Sequence, residues 1–395
     1  MRVLSISTLF PNPVRPSFGI FVGNQMRAVA ARGDVELTMV SPIGIPPWPL
    51  SRRAPYSALR NIPARDEVIG LEVHYPRFRT IPGIGADTNP GRIVRAVLPL
   101  VRKLHAAEPF DLVDASFFFP DGPAAARIAG DLGLPLTIKA RGADVHFWGA
   151  RPRARAQMLA ASRQANALLA VSKALARDMA ALGMPEERIR VHYTGLDRER
   201  FKVVPRDEAR KDIAVDPALA IPARGPLLVT PGALIPRKGQ RFAIEALAAL
   251  PGARLALAGA GEDEAALRRL AAGQGLGDRV HFLGLVTHER LPTLLSAADA
   301  VVLPSASEGL ANVWVEALAC GAPLVIPDAG GARELVRDPS AGRIVARDAG
   351  AVADALMSLL ADPPSQADVA RNAEHFSWTE NAARIVEIWR EAAGL

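Results

Sequence analysis

Metal-ligating patterns are missing from this chain: it has no Asp-x-Asp, no pair of histidines at ligand spacing and no pair of cysteines. Its one cysteine, Cys320, excludes an intramolecular disulfide and fits a reducing compartment. Aromatic residues make up 5 %, with no base-stacking or groove-reading motif among them, which argues against a nucleic-acid partner. Long apolar runs are missing too. The longest uncharged stretch, Leu37 to Ser51, has 15 residues and four prolines, short of the roughly 20 helical residues that cross a bilayer. Met1 leads directly into the strand-like Val3–Ser7 without a leader pattern. The expectation is a cytoplasmic protein, at most peripheral on the inner face of the plasma membrane.

At 395 residues the chain exceeds one ordinary core, and two domains are expected. Charge divides unevenly between the halves. Residues 1–200 hold 27 Lys and Arg against 17 Asp and Glu, and the remainder 20 against 24, so +10 faces −4. A basic first half points to an anionic partner for that half. Apolar strand-like runs alternate with Ala-rich helical patterns up to Ile189–Tyr193. After the charged stretch Asp197–Lys211 the alternation restarts at Leu227–Pro231. That rhythm reads as α/β, two doubly wound parallel sheets. The Pro- and Arg-rich stretch 42–66 breaks it. Trp48, Arg52, Arg53, Arg60 and Arg65 there, with Arg151, Arg153 and Arg155, are read as a face for an anionic membrane surface, or as a flexible solvated loop.

The organising stretch is Leu303–Ile326, a strand end, a polar loop, a short helix, a Gly-Ala-Pro turn and a strand. Glu308 and Glu316 stand at the ends of its loop-helix unit. If helical throughout, eight residues put them about 12 Å apart. That is too far for the paired carboxylates of a hydrolase, and it suits two acids holding different parts of one elongated ligand. Backbone amides over Gly309, Leu310, Ala311 and Asn312 lie where a helix N-terminus meets an anion. Pro231–Gly239 places Gly232 and the cations Arg237 and Lys238 ahead of a helix, a combination that suits a diphosphate. Gly259 ends the next strand in an incomplete Gly-x-Gly.

Glu-x7-Glu in this setting resembles the signature of retaining, nucleotide-sugar-dependent glycosyltransferases of family 4. The resemblance implies the GT-B architecture: two Rossmann-like domains facing across a cleft, with the C-terminal helix crossing back to the first. The implied division is 1–200 with 377–395 for the acceptor and 201–376 for the donor. Glu308 would bind donor-sugar hydroxyls, Glu316 the ribose, and Lys238 the diphosphate. The family's Gly-Arg-Leu-x-x-x-Lys-Gly has Ala233 at its arginine, so Arg237 is the candidate replacement. Gly19, in Phe18-Gly19-Ile20-Phe21-Val22, resembles the N-terminal glycine loop beside the donor phosphates. The wording there is similar to members that build bacterial surface polysaccharides. Arg141, at the position of a family histidine, would face the reacting sugar or an acceptor phosphate. Asp144 would fix Arg141 or cap the next helix, and Asp121 is read as a helix N-cap.

The implied activity is hexosyl transfer from a nucleotide diphosphate sugar to a polyprenyl-linked or other glycan acceptor, with no metal or other cofactor. Arg141, Asp144, Trp48, Arg52 and Arg53 form the acceptor or membrane side. Catalysis would rest on Glu308, Lys238 and Arg141. Two other readings share the architecture: a sugar-nucleotide 2-epimerase, and a catalytically idle nucleotide-sugar-binding subunit of a membrane assembly.

Overall fold

A computed structural model describes every residue except Pro55, Pro82 and Ile84. Its contacts divide the chain into two units, Met1–Gly195 with Trp378–Leu395, and Leu196–Ser377. Among the described residues the strands of the first unit are β1 Arg2–Ile6, β2 Glu36–Val40, β3 Ile43–Ile45, β4 Arg65–Val68, β5 Leu71–His74, β6 Arg77–Arg79, β7 Leu112–Ala115, β8 Leu136–Ala140, β9 Ala167–Ala170 and β10 Ile189–Val191. Eight form a sheet in the order β10-β9-β8-β7-β1-β2-β5-β4, parallel except at β4–β5. The continuous burial of β7, β8 and β9 follows, because helices cover both faces of such a sheet.

The stretch 42–66 is not a simple loop. It carries β3, which pairs in parallel with β6 in a separate two-stranded sheet, and the antiparallel edge strand β4. Prolines at 42, 46, 47 and 49 hid these short strands, because proline marks loops and edges alike.

The second unit holds β11 Leu227–Pro231, β12 Arg254–Ala258, β13 Val280–Gly284, β14 Ala300–Val302, β15 Leu324–Pro327 and β16 Gly342–Val345, all parallel, in the order β13-β12-β11-β14-β15-β16. Reversal of the strand order between β11 and β14 leaves a crevice beyond their carboxyl ends. In the first unit the equivalent reversal lies between β1 and β7. No helix among the described residues is long and apolar enough to cross a membrane.

Helix Trp378–Ala393 belongs to the first unit, against the helix Ile20–Ala30. Its Ala382, Ile385, Val386, Ile388 and Trp389 join the core that holds Val3, Met26, Leu112 and Leu169. Trp389 Nε1 donates to Asp114 Oδ1 at 3.2 Å, and Arg390 pairs with Asp34 at 2.9 Å. Gly195 receives Trp378 so closely that a Cβ there would lie 2.2 Å from the indole ring.

Candidate functional site

Both loops that carry the chemistry of the second unit leave the sheet at its reversal point. The one after β11 turns at Gly232, with φ at +126°, and then forms a short 3-10 turn over Pro236–Lys238. The one after β14 runs from Leu303 to Ala311 before the helix Asn312–Ala319. Only half of the span from Glu308 to Glu316 is therefore helical. The separation expected for a continuous helix does not apply, because Glu308 sits in the loop while Glu316 is in the second turn of the helix.

Seventy residues apart in sequence, Lys238 Nζ and Glu308 Oε1 meet at 2.5 Å, with the two side chains 14 % and 10 % exposed. Arg237 Nη1 lies 3.5 Å from the same Oε1 and also donates to the Ser307 carbonyl. Arg237 thus joins Lys238 on one carboxylate, although it lies four residues from Ala233. The shared burial gives this cluster a lower effective dielectric than the surface, which strengthens each charged contact. Leu310 is buried, while Ala311 and Asn312 at the helix start remain partly open.

Three glycines shape these loops by close backbone approach. A Cβ on Gly259 would fall 1.9 Å from the Gly232 carbonyl oxygen, and one on Gly239 would fall 2.3 Å from that of Pro304. Gly259 therefore serves to seat the Gly232 turn. On the other side a Cβ on Gly330 would fall 2.2 Å from the Glu308 carbonyl oxygen, and Gly331 N–H donates to Gly309 at 2.8 Å. Neither this prop nor Arg347 stands out in the sequence. Arg347 Nε donates to the Pro304 carbonyl at 2.8 Å and Nη2 to that of Pro236 at 3.0 Å, tying the two loops together. Arg347→Ala should weaken nucleotide affinity about tenfold, since two hydrogen bonds of roughly 0.5–1.5 kcal/mol each hold the loops. Calorimetric titration checks it, and an unchanged affinity would leave Arg347 a surface residue.

Glu316 has no charged partner among the described residues, and burial pushes its carboxyl up to about 7. A half-covered acid of this kind gains from hydroxyl donors, which stabilise its charged form. Cys320 nearby is buried, and its thiol is pushed up to about 12, consistent with packing and not reactivity.

In the first unit Arg141 follows β8. Its Nε donates to the Ser116 carbonyl at 2.8 Å, Nη2 to Gln25 Oε1 at 3.2 Å, and its guanidinium covers the Phe21 ring at 4.8 Å. Burial lowers it to about 10. Asp144 does not reach that guanidinium. It accepts from the backbone N–H groups of Phe118, Arg141, Gly142 and Val145, so it fixes the turn and not the arginine head. Asp121 is not an N-cap either. It lies inside the helix Asp121–Leu132 and accepts from Thr8 N–H and Oγ1, each at 2.8 Å. Gly19 takes φ +65° as the N-cap of the helix Ile20–Ala30, and a Cβ there would strike the Leu9 backbone at 2.5 Å. Trp48 is 74 % exposed, and Arg52 and Arg53 are exposed beside it.

Lys139 is the residue that sequence reading passed over. It is fully buried, its Nζ 3.2 Å from Gln25 Oε1 and 2.6 Å from His192 Nδ1, while His192 Nε2 reaches the Asn381 carbonyl at 2.9 Å. Nε2–H donating to that carbonyl leaves Nδ1 as acceptor for the lysine. Burial, helped by Arg141, drives the Lys139 ammonium well below its usual value. A charged residue inside an otherwise apolar strand was the available signal.

Comparison with known proteins gives this geometry its family. Residues 213–376 match the model described as Glycosyl transferases group 1, and residues 21–200 match Glycosyltransferase Family 4. The chain is 30% identical over 360 residues to the D-inositol 3-phosphate glycosyltransferase of Salinispora tropica, covering 84% of this chain and 74% of that one. It is 36% identical over 224 residues to the enzyme of the same description from Mycobacterium bovis, 54% of this chain and 45% of that one. Sucrose-phosphate synthase from Thermosynechococcus elongatus superposes with a TM-score of 0.79 at 21% identity, covering 99% of each chain. Anabaena HepE in complex with UDP gives 0.73 at 22%, over 99% of this chain and 100% of that one. The chain belongs to glycosyltransferase family 4, an enzyme family, and has its GT-B fold of two Rossmann-like domains.

Proposed function

We propose that this glycosyltransferase moves a hexose, with retention of configuration, from a nucleoside diphosphate sugar to a lipid-linked saccharide of the bacterial envelope. The observation that carries the donor side is the Lys238–Glu308 contact at the strand reversal, with Arg237 beside it. A cationic pair and a carboxylate at one point serve the two ends of a sugar phosphate. Lys238 and Arg237 meet the diphosphate oxygens, and Glu308 accepts from the sugar hydroxyls. Glu316 accepts from the ribose diol, with the amides over Gly309–Asn312 nearby. The bond from the anomeric carbon to the phosphate oxygen breaks, and a bond to the acceptor oxygen forms on the same face. The acceptor proton passes to the departing phosphate, whose charge the two cations offset. On this reading no metal is needed, because both charges of the leaving group have protein partners. Arg141, with Trp48, Arg52 and Arg53, belongs to the acceptor side, and Asp144 holds the turn that carries Arg141.

Uridine is the first base to test, since the Anabaena neighbour was solved with UDP. Titration of UDP, GDP and ADP should single out one nucleotide, and Glu316→Ala should weaken it at least tenfold. Ribose hydroxyls favour the ionised carboxylate, so binding lowers the Glu316 value from about 7. Protons are then released on binding below neutrality, and affinity rises as the pH climbs towards about 7 and levels off above it. Calorimetry in buffers of different ionisation enthalpy reads that release. No response to any nucleotide, or the same proton count in Glu316→Ala, contradicts the reading.

A further inference from the structure

Two concavities on the first unit, of about 660 and 510 Å³, share Pro47, Arg77, Phe78 and Arg79 and form one elongated groove. Its floor is the two-stranded β3–β6 sheet, outside the eight-stranded sheet. One wall is the segment with Trp48, Arg52 and Arg60. The other is the helix Asn89–Ala107, which adds Arg92 and Arg95 one turn apart on a shared face.

Six arginines line this groove and no acidic residue does. None of the six forms an ion pair among the described residues, whereas nearby Arg65 pairs with Glu72 and Arg153 with Asp87. Like charges gathered without carboxylates repel one another, and an anionic ligand relieves that repulsion. The shape narrows the ligand further. A concave, elongated trough fits a linear chain better than the flat face of a bilayer. Trp48, 74 % exposed, offers one flat apolar ring at the rim. A single platform suits the C–H face of a sugar ring, whereas binding of single-stranded nucleic acid uses a succession of stacked aromatics.

We propose that this groove binds an acidic glycan, a saccharide chain bearing carboxylate or phosphate groups, which anchors acceptor or product on the first unit. The proposal rests on the sugar-transfer reading, and its own test needs no turnover. The arginines contact the anionic groups bidentately and Trp48 stacks on a sugar ring. Affinity should therefore fall steeply with salt.

The probe is an oligogalacturonate, followed by Trp fluorescence and calorimetry at low salt. An uncharged maltooligosaccharide of equal length, a single-stranded oligodeoxynucleotide and phosphatidylglycerol vesicles are the comparisons. The acidic glycan should bind at least tenfold more tightly than each of these. Arg77→Glu with Arg79→Glu, and separately Trp48→Ala, should weaken it tenfold or more. Trp48 is exposed enough for its removal to spare the fold, so that variant decides the matter if the double variant is unstable. Lys238→Ala should keep full glycan affinity, which separates this site from the donor site. Equal binding of the neutral glycan, tighter binding of DNA or vesicles, or indifference to Trp48→Ala would overturn the assignment. Nucleotide affinity in the groove variants should stay unchanged, so failure here leaves the donor reading intact.

Discussion

Lys238→Ala is expected to lower the turnover number by two to three orders of magnitude, the cost typical of deleting one preorganised donor at a developing negative charge. Two effects add in this site. On the proposed donor reading the leaving phosphate loses its ammonium partner, and Glu308, only 10 % exposed, loses its 2.5 Å counter-ion. Arg237 remains within 3.5 Å of Glu308 and limits the second effect more than the first. Lys238→Arg should recover only part of the rate, because a planar fork cannot occupy the position of a compact ammonium. Adding Glu308→Ala to Lys238→Ala should cost less than the sum of the single changes, since the two residues act as one unit. Steady-state kinetics with the donor identified by titration measure all four. Should Lys238→Ala keep turnover within fivefold of wild type, the pair is a structural salt bridge and the donor assignment falls.

Trp389→Ala is expected to cost about 3–5 kcal/mol of first-unit stability, the usual range for emptying a buried aromatic site. The indole is fully buried in the C-terminal half of the helix Trp378–Ala393, and its Nε1 donates to Asp114. Burial raises the Asp114 carboxyl above its ordinary value, while hydroxyls of Ser5, Ser116 and Thr137 satisfy its oxygens. The two contributions separate in Trp389→Phe, which keeps much of the volume and loses the donor. That variant should lose roughly 1–3 kcal/mol beyond its small packing defect. Urea unfolding followed by circular dichroism reads both. A loss below about 1 kcal/mol for Trp389→Ala would mean that the last helix is appended to the first unit and not part of its core.

Much of the element pattern was legible because it is written locally. The strands Leu112–Ala115, Leu227–Pro231 and Arg254–Ala258 lie where their apolar runs lie, and the helix Glu264–Gly273 lies where its 3.6-residue pattern lies. Misreadings came where one local signal has two structural uses. Asp121 and Asp144 stand at loop-to-helix junctions, where an acid commonly caps, yet Asp121 spends its oxygens on Thr8 from another segment, and Asp144 divides its own between the distant Phe118 N–H and the N–H groups of its own turn. The stretch 42–66 read as loop because a three-residue strand such as β3 owes its existence to β6, more than 30 residues away.

Alone, the sequence determined the α/β alternation, the restart after Asp197–Lys211 and the family motif around Glu308 and Glu316, all of which depend on neighbours within a few turns. Only the tertiary structure decided which charges meet. The order β13-β12-β11-β14-β15-β16 puts the loops after β11 and β14 side by side and closes Lys238 onto Glu308 across 70 residues. Packing of the last helix carries Trp389 to Asp114 across 275 residues. A separate small sheet, the segment after β3 and one helix gather six arginines from residues 52 to 95 into a single groove. The physical reason is common to the three: side-chain pairing at long sequence separation follows from strand order and helix packing, and these are settled by burial summed over the whole unit and not by any local pattern.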